Sequence, residues 1–190
     1  MEIYDSIKHI IDVNVFSCLI PLLLILILIE YFFKNRFKTK QVINLVRWFL
    51  ISYFFIGIVH NIIGHIFFPE EYSFVNRATG PYYWSFWLMF TAAVLFPFTL
   101  FYKKLATKPL YLIAIVFFMK IGWYFERFVI IVTSFHREYS PQITNFDSIL
   151  FWIVVVLMHM LQAFIIAVIL LAIFEIIERR KQNNTDYKSI

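Results

Sequence analysis

Five apolar runs, each long enough to cross ~30 Å of hydrocarbon at ~1.5 Å per residue, leave this chain essentially one architecture. They cover residues 11–33, 42–68, 82–102, 110–134 and 148–177. A backbone in lipid has no water to bond, so only helices or closed barrels satisfy it, and near-continuous apolarity excludes the alternation of a barrel strand. The sequence therefore predicts an all-α, polytopic membrane helix bundle over 1–178, followed by a polar cytoplasmic tail at 179–190 that is frayed from Lys181. With 62% of residues hydrophobic and only 15% charged, an ordinary soluble domain is excluded.

Basic residues set the expected orientation. Lys34, Arg36, Lys38 and Lys40 follow the first run, Lys103, Lys104 and Lys108 the third, and Arg179, Arg180, Lys181 and Lys188 the fifth. The opposite set is poorer, with Lys8, Arg77 beside Glu70 and Glu71, and Arg137. The positive-inside rule then puts the N-terminus out and the C-terminus in. Glu2 and Asp5 replace the basic start of a cleavable signal, so the first run is expected to persist as a helix. The net charge of +5 belongs to these loops, which argues against a nucleic-acid partner. Cys18 is the one cysteine, so no internal disulfide, iron–sulfur or zinc-thiolate site is available and no metal site is expected.

Polar residues inside the runs mark the candidate site. Glu126 and Arg127 stand side by side in the fourth run, where a charge costs at least ~2.5 kcal/mol on the most forgiving insertion scale. Adjacent helical positions lie ~100° apart, so the two do not pair face to face and each needs a partner elsewhere. His60, Asn61, His159 and Gln162 are the candidates, with Lys120 further down the same run. In the second run Gly57, His60, Asn61 and Gly64 share one helical face, with His65 one position beyond. Two readings stand: glycines that let a helix approach while the polar pair bonds across, or a ligand and proton site. His159 and Gln162 read either as satisfied core polar groups or as ligand contacts, and His60 with His159 would permit a bis-histidine haem. Tyr83 and Trp84, after Pro81, fit an interfacial aromatic belt or the wall of a flat ligand. Pro97 is expected to free the carbonyl near Ala93 and kink the third helix.

Several segments also share a pattern: 74–84 (FVNRATGPYYW), 85–89 (SFWLM), Lys103-Lys104, and 121–141 with its ERFVIIVTS core. In order and spacing they resemble the membrane-subunit family of polysulfide and formate-linked nitrite reductases, in its alternative complex III branch. The resemblance spans roughly 60–141 and corresponds to the C-terminal portion of such a subunit. It implies a quinone-interacting integral subunit in the bacterial inner membrane, with no redox cofactor bound by this chain. It further implies other integral membrane subunits and an iron–sulfur or cytochrome subunit on the outer face.

Carried over residue by residue, Arg127 becomes a pocket-side or proton-path residue and Glu126 its motif neighbour. Asn76, Arg77, His136 and Arg137 match the outer-loop and cap positions where a partner docks. Two functions follow as expectations. One is a quinol- or proton-handling subunit, at most part of a quinol oxidoreductase, in which Glu126, Arg127 and His60 act and Asn61, His65, Tyr83, Trp84, His159 and Gln162 line the ligand. The other is a non-catalytic structural or assembly subunit derived from a shortened relative.

Overall fold

Every described element is a helix, as the apolar runs require. A computed structural model describes the backbone at residues 2–34, 36–67, 74–81, 83–122, 124, 125, 128, 129, 132 and 145–186. Side chains are described at those positions apart from 2–5, 74, 76, 77, 145–149, 151, 152 and 183–186. In order the elements are α1 (Glu2–Ile11), a π turn (Asp12–Phe16), α2 (Ser17–Phe33), α3 (Thr39–Phe67), α4 (Phe74–Thr79) and α5 (Tyr83–Phe98). A 3₁₀ turn (Thr99–Phe101), α6 (Lys103–Ala106), α7 (Pro109–Met119) and α8 (Asn145–Asp186) complete them.

Among the described residues four stretches are long and apolar enough to cross a membrane: Ser6–Phe33, Thr39–Phe67, Tyr83–Phe101 and Ile153–Gln182. The chain thus has the helix content of a multi-pass membrane protein. Within the run expected over 110–134 the helix Pro109–Met119 is interrupted at Lys120, and the described residues beyond it, 121, 122, 124, 125, 128, 129 and 132, are again helical. Lys120, at φ −103° and ψ 8°, leaves the helical region and its N–H bonds Phe117 O at 3.1 Å, before Tyr124 N–H returns to Lys120 O. The tail expected to fray from Lys181 instead stays helical through Asp186. Arg179 reaches Glu175 one turn back, and Glu178 is held by Lys38, so the last turns have side-chain anchors. The first helix likewise begins earlier than expected, at Glu2.

The helices group into two compact units, Met1–Val46 with Pro141–Ile190, and Arg47–Ser140. In the first, α2 packs along α8. Cys18, Leu19, Leu22, Leu23 and Leu26 are buried on α2, against Ala163, Ala167 and Leu171 at four-residue spacing on α8. Small residues repeated every four positions let two backbones close in lipid, where van der Waals packing replaces the hydrophobic drive. Lys34 ends α2 in the left-handed region, at φ 37°, and turns its N–H onto Glu30 O at 3.0 Å.

The second unit is built from shorter pieces. Leu50, Ile51 and Phe54 of α3, Ala92 of α5, and Leu112, Ile115 and Val116 of α7 are buried in it. Aromatic rings fill the spaces: Phe54 meets Phe98 edge-on at 5.1 Å, and Phe96 stacks on Phe118 at 4.3 Å. Pro109 opens α7, where a missing N–H costs nothing.

Candidate functional site

The breaks in the second unit arise from two residues. Pro97 has no N–H for the carbonyl of Ala93, and α5 tightens into the 3₁₀ turn within two residues. The exposed C-terminal carbonyls of that turn receive Arg47. Its Nε donates to Leu100 O at 2.8 Å, a second nitrogen lies 3.4 Å from Phe101 O, and the guanidinium sits 5.3 Å from the Trp48 ring. Only 6% of Arg47 is exposed. A cation at a helix C-terminus meets the negative end of the peptide dipoles, so these carbonyls help to stabilise the charge. Sequence reasoning did not single out Arg47. Its signal was there, a guanidinium eight residues into an otherwise apolar helix.

Lys120 forms the second break. Its ammonium stands 6.0 Å from the Tyr53 ring, and Tyr124 stacks on Phe117 at 5.1 Å just after the turn. Between α5 and α7, beside this break, lies a cleft of about 460 Å³ lined by Trp87, Thr91, Ala92, Phe96, Phe118 and Ile121. Such a volume lies within the roughly 300–1,000 Å³ typical of small-molecule sites. The indole N–H of Trp87 is held by Ala78 O at 3.2 Å, and beyond the break Gly122 lies next to Met89. The wall is aromatic and aliphatic with one hydroxyl, that of Thr91. This surface can hold a flat apolar ring by stacking and offers it a single hydrogen-bonding side chain.

The expected site residues are distributed unevenly. Glu126, Arg127, His136 and Arg137 lie outside the described residues. Asn76 and Arg77 fall on α4, with side chains outside the described set. Tyr83 and Trp84 are exposed at the start of α5, and the tryptophan lining the cleft is Trp87, one turn further on.

On α3 the polar residues bond their own helix. Asn61 Nδ2 donates to Gly57 O at 2.8 Å, and His65 Nδ1 lies 2.7 Å from Asn61 O, which makes that nitrogen the protonated one. His60, on the same helix, is half-buried. Among the described residues nothing lies within 4 Å of where a Cβ on Gly57 would stand, so the close approach expected there is not made at this glycine.

His159 and Gln162 belong to the first unit, whereas His60, Asn61 and His65 belong to the second. His159 Nδ1 bonds Val155 O on its own helix at 2.7 Å. Gln162 Nε2 donates to Asn14 O at 2.9 Å. Asn14 sits in the π turn, where the wider coil disturbs the regular ladder, so the amide completes the α2–α8 packing. Among the described residues no three His, Cys, Asp or Glu side chains cluster as metal ligands.

Comparison of the chain with family models, with curated proteins and with solved structures finds no match. The resemblance carried by 74–89 and 121–141 therefore rests on those motifs.

Proposed function

We propose that this chain is an integral subunit of a bacterial respiratory redox complex that handles quinol, or its protons, near the outer leaflet of the inner membrane. In this reading it spans the membrane five times, N-terminus out and C-terminus in, the fourth span in chain order being α7 continued past Lys120 into the 121–134 segment. The cleft between α5 and α7 carries the reading. Its aromatic walls suit a quinone ring, its volume suits the ring with the first part of an isoprenoid tail, and Thr91 can bond one ring oxygen. Membrane transporters place ligands where a helix is interrupted, because unwound backbone is tolerated there only against protein or a cavity. The Glu126-Arg127 pair follows that interruption by six residues, close enough along the chain to serve the same site.

The chemistry asks little of the chain. Oxidation of a quinol releases two electrons and two protons. The electrons pass to a redox partner subunit on the outer face, docked through the region of Asn76, Arg77, His136 and Arg137. A carboxylate desolvated enough to exchange protons near the working pH, Glu126 by its motif position, takes the two protons in turn and passes each to the outer aqueous face. Arg127 or His60 holds a ring oxygen.

A photoreactive quinone analogue, added to membranes containing the full chain, tests this directly. Label should map to 87–121, be competed by unmodified quinol, and disappear in Thr91→Trp, which fills the cleft. Labelling that survives Thr91→Trp, or maps only to other segments, would overturn the assignment. Glu126→Gln and Arg127→Ala should abolish quinol-linked turnover while the complex stays assembled.

One observation favours the structural reading. Gln162 donates its side-chain amide to the backbone carbonyl of Asn14 on another element, as a glue residue does, while Asn61, His65 and His159 are engaged with carbonyls of their own helices. If Arg127→Ala leaves turnover intact but the complex dissociates, the chain is an assembly subunit.

A further inference from the structure

The first unit contains a second cleft that the redox reading does not use. It measures about 450 Å³ and is lined by Gln41 at the start of α3 and by Phe174, Ile177, Glu178, Lys181 and Gln182 near the end of α8. Residues 174, 178, 181 and 182 share one face of α8. Along that face the chemistry changes in order: an aromatic ring, a carboxylate, an ammonium, an amide.

Glu178 is the informative residue. Its Oε1 accepts from Lys38 Nζ at 2.8 Å. Its Oε2 is out of contact with solvent and has no hydrogen-bond partner among the described residues. A desolvated carboxylate oxygen without a donor is costly, so a donor entering the cleft would be held strongly there. Lys181 lies one turn further on, within reach of an anion placed beside that donor. Below both, Phe174 and Ile177 provide an apolar wall. The surroundings are basic, with Lys34, Arg36, Lys38, Lys40, Arg179 and Arg180 flanking the site in sequence.

A ligand that meets all three demands carries a primary ammonium, a phosphate within a few bonds of it, and hydrocarbon. We infer that the cleft binds the headgroup of phosphatidylethanolamine. Its ammonium donates to Glu178 Oε2, its phosphate lies against Lys181 and the Gln182 amide, and its acyl chains run along Phe174 and Ile177. A phosphatidylcholine headgroup has the same charges but no N–H, so it leaves Oε2 without a donor. A purely anionic headgroup would satisfy Lys181 and be repelled by Glu178. Basic recesses between membrane helices commonly take lipid phosphates; the desolvated acid is what selects the amine here.

The full chain, purified in mild detergent, can be titrated by native mass spectrometry with phosphatidylethanolamine, phosphatidylcholine and phosphatidylglycerol of identical acyl chains. Phosphatidylethanolamine should bind about tenfold tighter than phosphatidylcholine, the worth of one hydrogen bond to a charged group. Glu178→Gln should erase that preference while binding persists, and Lys181→Ala, at an exposed position, should weaken both lipids together. Equal affinity for the ethanolamine and choline lipids in the wild-type chain would overturn the proposal, as would tighter binding of phosphatidylglycerol, which would mark a plain anion site. The wild-type series decides the matter even if Glu178→Gln does not fold.

Discussion

The two units of this protein treat polar groups in opposite ways. In the first, long and nearly uninterrupted helices pack through Ala163 and Ala167, and polar side chains close specific gaps: Gln162 on the π-turn carbonyl of Asn14, Lys38 on Glu178. In the second, helices are short and interrupted at Pro97 and Lys120, rings fill the interior, and a cleft opens at the interruption. Continuity of the backbone ladder makes a scaffold. Interruption exposes carbonyls and space, which must be met by a side chain such as Arg47 or by a ligand.

This contrast is sharpest at Arg47. Arg47→Met removes the donors to Leu100 O and Phe101 O and leaves both carbonyls in apolar surroundings, an expected loss of about 2–3 kcal/mol. Denaturant unfolding in detergent micelles measures it, and a loss below about 0.5 kcal/mol would mean the turn at 99–101 is satisfied without the arginine. Next, Ala167→Leu forces α2 and α8 apart and should cost about 1–3 kcal/mol in the same assay. A neutral result would show that the small-residue seam does not set the packing. Gln162→Leu should cost about 0.6 kcal/mol, the average for interhelical hydrogen bonds in membranes, because the unpaired carbonyl finds other partners. The smallest effect is expected at Lys38→Met. The pair is about a third exposed on each side, so solvent screening holds its contribution below about 1 kcal/mol, and high salt should remove most of that. If Lys38→Met proved more damaging than Arg47→Met, the division into a continuous scaffold and an interrupted second unit would be reversed.

Much of the fold was legible in the sequence, for a local reason. A run of apolar residues disfavours water wherever it is, so 11–33, 148–177 and the described residues of 42–68 all fall within helices, and Pro109 starts one where a proline should. The end of α5 was half legible: Pro97 announced an interruption, while the 3₁₀ turn that followed and the arginine that reaches it did not show. The break at Lys120 was hidden because periodicity runs smoothly through it. Among the site residues, His65 and Asn61 were grouped correctly on α3, yet their bonds run along the helix rather than across it. Trp87 was overlooked as a ring wall in favour of Tyr83 and Trp84. All three read alike in an aromatic stretch, and only the cleft that Trp87 lines together with Phe96 and Phe118 separates them.

Hydropathy by itself called for an all-helical chain of long apolar helices, four of which stand among the described residues, because each residue's preference for lipid or water is its own property. Tertiary structure alone decided that Arg47 meets a carbonyl 53 residues away, that Lys38 finds Glu178 across 140, and that Gln162 reaches Asn14 across 148. Those pairings depend on which backbone groups are left over after the helices form and pack, and that remainder exists only once the chain has folded.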